Sequence, residues 1–472
     1  MTINRLVLIA LVFVIIPGIG VGQSAVPSNA IIESEVDAVM KQQMRGRHIP
    51  GASVAVVSHG KLVLLKSYGL ADVENQVPAT PHTVYELASV TKQFTATAIM
   101  MLVQEGKLSL DDAVNHVLDG LPAAWNKITI RQLLNHTAGL PDFSRPQFHL
   151  EMRADHSPRD LIQLVANTPL DFTPGEKYSY SNTGYVVLGM VIEKLSGKKY
   201  GTFVRERIFE PLDMRDSRFN DQSAIVPNRA RGYTFSNFVL ENADFTSSSN
   251  PYAAGGLLSS AADMAKWMQA QGSVKLLSQS NWEQMWTEAR LNDGSNFGYG
   301  FGWNIRTTWS RKRVEHAGGI SGFSTNVTRF IDDDLSLIYL LNSDAGPGSL
   351  GRRIFGLYLP ATQYHPPKAI AETDTATTDL LRRVTIALSQ GTGDPSWYTP
   401  KVQQYFFPDR IKLRKGWFDG LGPLQSFDLI QVKEESGRQK RIYRGVFDSI
   451  PMLFTYWLTP DHKIDDADFE VE

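Results

Sequence analysis

A serine hydroxyl becomes a nucleophile when a base takes its proton, and an amine can be that base once it is uncharged. Ser89-Val90-Thr91-Lys92 offers such a pair at i and i+3, a spacing that puts both side chains on one face of a helix. The apolar run that follows (Phe94, Ala96, Ala98, Ile99, Met101, Leu102, Val103) predicts a buried helix from Ser89 to about Glu105, stopped by Gly106. A hydroxyl in its first turn would lie near unpaired backbone N–H groups and the positive end of the helix dipole. Lysine titrates near ~10.4 in water, so keeping it neutral near pH 7 takes roughly 4–5 kcal/mol from burial and neighbouring groups. The same S-x-x-K pattern occurs at Ser58/Lys61, by a hairpin turn, and at Ser196/Lys199, by a helix end, but neither precedes a long apolar helix. Taken alone, Ser89 reads equally well as a helix cap and Lys92 as a solvated lysine.

Two distant segments change that balance. Pro174 to Tyr185 is a turn running into a helix (Val186 to Leu195), with Tyr180 and Asn182 at the helix start facing a cleft. Arg313 to Gly319 is a strand ending in Gly318-Gly319, where backbone can approach a ligand closely. Singly, Tyr180 would pass for a core tyrosine, Asn182 for a cap and His316 for a structural histidine.

In order, Ser89-Val90-Thr91-Lys92, Tyr180-Ser181-Asn182 and His316-Ala317-Gly318 resemble the S-x-x-K, Y-x-N and K/H-x-G motifs of the serine β-lactamase and penicillin-binding protein superfamily. The branch is the class C and D-alanyl-D-alanine carboxypeptidase-like one. Ile128 to Leu140, Pro211 to Met214 and Ala254 to Ser260 share the likeness, which covers roughly residues 30 to 360. The resemblance implies Ser89 as the acyl-accepting nucleophile, with Lys92 and Tyr180 as its base system, leaving open which of the two takes the proton. It implies that Asn182 holds the substrate's acyl-amide group, and that His316 hydrogen-bonds the tyrosine or the substrate. The N–H groups of Ser89 and Gly319, beside Gly318, would form the oxyanion hole. His316 stands where β-lactamases usually carry lysine. A mostly neutral imidazole suits a substrate carboxylate less well than a fixed cation, so the expectation leans to a peptidase or esterase.

The elements that must position these groups follow from periodicity. Asn29 to Met44 is an amphipathic helix, and Ala52 to Val57 and Leu62 to Leu65 are strands joined at His59-Gly60. Leu108 to Asp112 reads as the start of a helix, Ile128 to Leu140 as a short helix with a glycine stop, and Ser260 to Asp263 as a capping box. Strand signals return at Gly300 to Thr307, Arg313 to His316, Ser324 to Phe330 and Ser336 to Leu341, before a closing helix from Leu350 to Tyr358. The order is strands, a helical middle, then strands. It predicts an α+β chain with one antiparallel sheet flanked by helices and an inserted helical subdomain, the β-lactamase/transpeptidase-like fold that the resemblance also implies. The expected organisation is a signal peptide over 1–25, a serine hydrolase domain over 26–360, a Pro/Ala/Thr-rich linker over 361–379 and a small C-terminal α+β domain over 380–472. That last unit reads as a helix (Leu380 to Ser389) and three strands, Ser426 to Val432, Arg441 to Phe447 and Leu453 to Leu458.

Composition narrows the classes. The 472 residues carry a formal charge of −2 and are 42% hydrophobic and 20% charged, which argues against nucleic acid as a partner. The absence of cysteine excludes disulfides, a thiol nucleophile and thiolate-bound metal. Arg5, the apolar stretch Leu6 to Ile16, and small residues from Gly20 to Ala25 predict export to the periplasm or medium, with no stable membrane insertion after cleavage. No H-E-x-x-H, no phosphate-binding G-x-x-x-x-G-K-[ST] and no true G-x-S-x-G is present, so no metal, nucleotide or other cofactor is expected. The expected partners are small-molecule or peptide substrates: D-alanyl peptides, small esters or β-lactams. A second reading, of another class, is a non-catalytic penicillin-recognising sensor or scaffold. Oligomeric state is not legible in the sequence.

Overall fold

The computed structural model describes residues 29–145, 151–359, 365–448 and 450–472. The expected signal peptide and the start of the expected linker lie outside the described residues. The chain opens with α1 (Asn29–Gly46), β1 (Gly51–Ser58), β2 (Lys61–Asp72), β3 (Val77–Pro78) and β4 (Tyr85–Glu86). A single 3₁₀ turn, Ala88–Val90, then leads into α2 (Thr91–Gln104). The helical middle holds α3 (Ile130–Leu134), α4 (Pro158–Gln163), α5 (Asn182–Ser196) and α6 (Tyr200–Val204). Short strands follow, β5 (Arg218–Phe219), β6 (Tyr233–Ser236) and β7 (Val239–Asn242), then α7 (Tyr252–Gly255), β8 (Leu257–Ser259), α8 (Ala261–Ala270) and α9 (Gln279–Met285). The chain returns through β9 (Asn304–Thr308), β10 (Arg311–Ile320), β11 (Phe323–Phe330) and β12 (Leu335–Leu341) to α10 (Leu350–Tyr358).

The two ends of this region share one seven-stranded sheet, ordered β3-β2-β1-β12-β11-β10-β9. β1 pairs antiparallel with β12, from Ala52 opposite Leu341 to Ser58 opposite Leu335. Every residue of β11 and β12 is buried, as expected of strands covered on both faces. One face packs with α1 and α10 around Val36, Val54, Leu337 and Ile354; the other packs under α2 and the helical middle. α2 lies in the core with every residue from Thr91 to Leu102 buried, polar groups in its first turns and Ala98 to Leu102 apolar after them. Phe94 stacks on Trp267 at 4.2 Å, and the Trp267 indole donates to Gln93 Oε1 at 3.0 Å, which pins α2 against α8.

Three expectations need correction. Leu108 to Asp112 does not start a helix. The Asp112 carboxylate accepts from Ser109 N–H at 2.7 Å, and the backbone here pairs with residues 128–131, so a turn and one 3₁₀ turn (Val114–His116) form instead. The strand expected from Gly300 starts only at Asn304, because Gly302 turns with φ +76 to bring the chain under α2. A side chain there would meet the Lys92 carbonyl at 2.7 Å. Ser260 caps α8 by accepting from Asp263 N–H, but the Asp263 carboxylate turns away to Asp216 and Ser217, so the box is only half made.

Beyond the first region, α11 (Thr375–Ser389) begins five residues before the expected helix, capped by the Asp374 side chain. α12 (Pro400–Phe406), α13 (Arg410–Phe418) and β13 (Leu424–Glu435), β14 (Arg438–Phe447), β15 (Ile450–Leu458) and β16 (Ile464–Val471) complete a four-stranded antiparallel sheet packed on helices. Sequence reading passes over α12, α13 and β16. The run Ile464-Asp-Asp-Ala-Asp468 is too acidic to look like a strand, yet such charges suit the exposed edge that β16 forms. This unit leans on α1: Gln43 donates to the Glu472 carbonyl at 2.8 Å, and Arg45 pairs with Asp448 at 3.1 Å.

Trp267→Ala removes the largest side chain packed on α2 and should destabilise the fold by about 3–5 kcal/mol. A denaturant midpoint unchanged from wild type would show that α2 is held elsewhere.

Candidate active site

Ser89 sits on the 3₁₀ turn ahead of α2, and that turn is held from both sides. Leu87 N–H donates to the Leu257 carbonyl at 2.9 Å, and Thr325 Oγ1 on β11 donates to the Leu87 carbonyl at 2.8 Å. Ala88 takes φ +47, a left-handed conformation that costs a residue with a side chain on the order of 1–3 kcal/mol. That strain lifts Ser89 into a cleft of about 330 Å³, where it is half-buried, while Lys92 beneath it is fully buried.

The Lys92 amine makes three contacts: Ser89 Oγ at 3.1 Å, Asn182 Oδ1 at 2.8 Å and the Ala254 carbonyl at 2.8 Å. Burial pulls its pKa down to about 7, against the upward pull of the Asp142 carboxylate. The geometry fixes the lone pair of the neutral amine. Two of its three contacts are carbonyl oxygens that only accept, so its two N–H bonds go there and its lone pair faces the Ser89 hydroxyl. An amine so placed can take that proton. Tyr180 lies with its ring 4.7 Å from the Lys92 nitrogen, its phenol near enough to Ser89 to feel it; burial raises its pKa and keeps it a neutral phenol.

Asn182, the first residue of α5, is engaged at both ends of its amide. Oδ1 accepts from Lys92, and Nδ2 donates to Asp142 Oδ2 at 3.2 Å and to Ser144 Oγ at 3.1 Å. Gly318 and Gly319 lie near the end of β10, beside Ser89. A side chain at 318 would strike the Leu87 carbonyl at 2.2 Å, so only glycine lets β10 come this close; Gly319 faces open space in the cleft.

His316 departs from expectation. Its Nδ1 donates to the Ala317 carbonyl at 2.7 Å, which makes Nε2 the acceptor of the Tyr299 hydroxyl at 2.9 Å. Its tyrosine partner is therefore Tyr299 and not Tyr180, and neither nitrogen is left for a substrate. Burial, reinforced by the Lys92 charge, takes its pKa down to about 3, so it is neutral. The inward face of β10 puts the ring behind the site, 6.1 Å from the Tyr180 ring.

The structure thus brings Ser89, Lys92, Tyr180, Asn182 and the Gly318-Gly319 backbone together, with His316 one layer behind. Sequence reasoning missed Asp142, which also accepts from Asn182 N–H at 2.7 Å, and Tyr299. No local pattern marks either. His136 was visible only as part of a similar segment. It accepts from Ser181 N–H at 3.1 Å and packs among the Tyr180, Tyr185 and Tyr299 rings, which locks the turn before α5. Among the described residues no group of His, Cys, Asp or Glu is placed to hold a metal ion, and no helix is long and apolar enough to cross a membrane.

A serine raised by the strained residue before it, over a buried amine and beside a phenol and a pair of strand glycines, on a sheet that encloses a helical insertion, marks the β-lactamase/transpeptidase-like class. The Beta-lactamase family model matches residues 36–359, and the chain belongs to that family. It is 33% identical over 315 residues to penicillin-binding protein 4* of Bacillus subtilis (strain 168), a match spanning 63% of this chain and 69% of that protein. The matches to curated relatives span 63% to 69% of those proteins' length. Among solved structures, the octameric penicillin-binding protein homologue from Pyrococcus abyssi superposes with TM-score 0.64 at 25% identity, covering 93% of this chain and 98% of that one. The D-stereospecific amidohydrolase from Streptomyces sp. gives TM-score 0.58 at 28% identity over 70% of this chain and 98% of that one.

The rate at which a fluorophosphonate labels Ser89 should climb as pH rises through about 7, because the neutral amine is the active form, and level off above. Lys92→Arg, whose guanidinium stays charged, should label about 10²–10⁴-fold more slowly. A pH-independent rate would remove Lys92 from the proton path.

Proposed function

We infer that the chain is an exported serine hydrolase working through an acyl-enzyme on Ser89. The observation that carries this reading is the lone pair of a near-neutral Lys92, aimed at the Ser89 hydroxyl from 3.1 Å. In the acylation step the Ser89 oxygen attacks the substrate carbonyl as its proton passes to Lys92. Tyr180, a neutral phenol, relays that proton to the leaving group. The backbone N–H groups of Ser89 and Gly319 hold the oxyanion, a stabilisation worth ~3–4 kcal/mol per donor in other enzymes. Asn182 fixes Lys92 through Oδ1, whose second lone pair is left to accept from a substrate N–H. Water then releases the acyl group by the same route in reverse.

The substrates fitting this site are D-alanyl peptides and related D-amino-acid amides or small esters, with β-lactams less favoured. Two features support that order. His316 is neutral and has both nitrogens engaged, so the site lacks a fixed cation at that position for a substrate carboxylate. The likeness to a D-stereospecific amidohydrolase points to the same chemistry.

Fluorescent penicillin or a fluorophosphonate should label wild type and not Ser89→Ala, and wild type should turn over a chromogenic ester or a D-alanyl amide faster than a cephalosporin. Labelling that survives in Ser89→Ala would sink the acyl-enzyme. Labelling of wild type without any turnover would favour a penicillin-recognising sensor instead.

A further inference from the structure

The β6–β7 hairpin joins the C-terminal unit to the rim of the Ser89 cleft. Its two-residue tip, Asn237-Phe238, has φ of +48 and +63, the left-handed pair that a tight hairpin turn requires. The tip is pressed against α13. A side chain at Gly416 would lie 2.4 Å from the Phe238 carbonyl, and the Arg414 guanidinium sits 5.1 Å from the Phe238 ring. Phe235 stacks on His48 at 3.9 Å, nearly parallel, and His48 Nε2 bonds the Trp417 carbonyl of α13 at 2.8 Å.

At its other end the hairpin closes with Ala243 N–H on the Gly232 carbonyl at 3.1 Å, and the chain runs straight into Asp244-Phe245-Thr246, which line the cleft beside Ser89. Among the described residues the segment is next tied at Ser247, whose N–H donates to the Met152 carbonyl at 3.0 Å. The base of the hairpin also crosses the β10–β11 turn, where a side chain at Gly322 would meet Gly232 and Ala243 at 2.6 Å. Phe245 is 48% exposed. A large apolar ring left open to water in the lining of a cleft that it shares with Phe143, Met152 and Ile320 is a surface waiting for an apolar group.

We propose that Phe245 selects an apolar side chain on the acyl part of the substrate, and that the C-terminal unit sets its position by gripping the hairpin tip. This rests on the Ser89 acyl-enzyme reading. Phe245 is a binding wall; Phe238 is a positioning residue that touches no substrate and acts through the hairpin.

The test compares kcat/KM for p-nitrophenyl hexanoate and p-nitrophenyl acetate in the full-length chain, with circular dichroism and thermal melting to verify folding. Phe245→Ala should lower the hexanoate-to-acetate ratio about tenfold, within the range expected when an apolar pocket loses a wall. Phe238→Ala should lower it about two- to threefold, and Phe238→Trp, which keeps an aromatic face for Arg414, should restore it. A ratio unchanged in Phe245→Ala overturns the selectivity. A ratio changed in Phe245→Ala but not in Phe238→Ala overturns the coupling to the C-terminal unit. Wild type that forms no Ser89-dependent acyl-enzyme with either ester overturns the underlying hydrolase reading.

Discussion

An amine sealed in the core with no carboxylate bonded to it is the constraint on which the rest of the structure depends. Lys92 faces a hydroxyl, a side-chain amide oxygen and a peptide oxygen, and burial alone brings it close to neutrality at physiological pH. Keeping it so requires walls on every side. α2 is buried through its whole upper length, α7 supplies the Ala254 carbonyl, and the Gly302 turn closes beneath. Asp142 holds Asn182 rather than Lys92, and this one-residue displacement separates a free amine from an inert ion pair.

The same logic explains the histidine behind the site. A lysine on the inward face of β10 would place a second cation near Lys92 and depress its pKa further. A neutral imidazole locked by Tyr299 and the Ala317 carbonyl leaves the charge state of Lys92 to burial and the opposing pull of Asp142. His136, held neutral by burial and placed among three tyrosines, repeats this choice in the same aromatic cluster. Both histidines beside the site thus carry no charge, which leaves Asp142 as the one carboxylate acting on Lys92 and keeps the proton traffic with the serine, the amine and the phenol.

Much of this was legible in the chain. The Ser89 and Lys92 pair announced itself through the apolar helix behind it, and Tyr180, Asn182 and the two glycines through their order. The strand β12 was plain because burial on both faces leaves Leu335 to Leu341 almost wholly apolar, and α10 because Leu350, Ile354 and Phe355 recur at helical spacing. What escaped depended on pairing at a distance. Leu108 to Asp112 has helical composition but spends its backbone on residues 128–131. β16 hides its strand character under aspartates that only an edge position tolerates. The partner of His316 lies 17 positions back on an irregular turn, and Asp142 matters through a bond 40 residues away; neither leaves a periodic trace.

The pairing of β1 with β12 sets when this site can exist at all. Ala52 finds Leu341 only after nearly three hundred intervening residues have been made, so β1 has no permanent neighbour on that side until then. The glycines beside Ser89 arrive on the same late strands. A nascent or truncated chain therefore carries its nucleophile in an unfinished cradle. Such late, long-range closure makes folding slow, and it leaves the serine chemically silent until the sheet has closed.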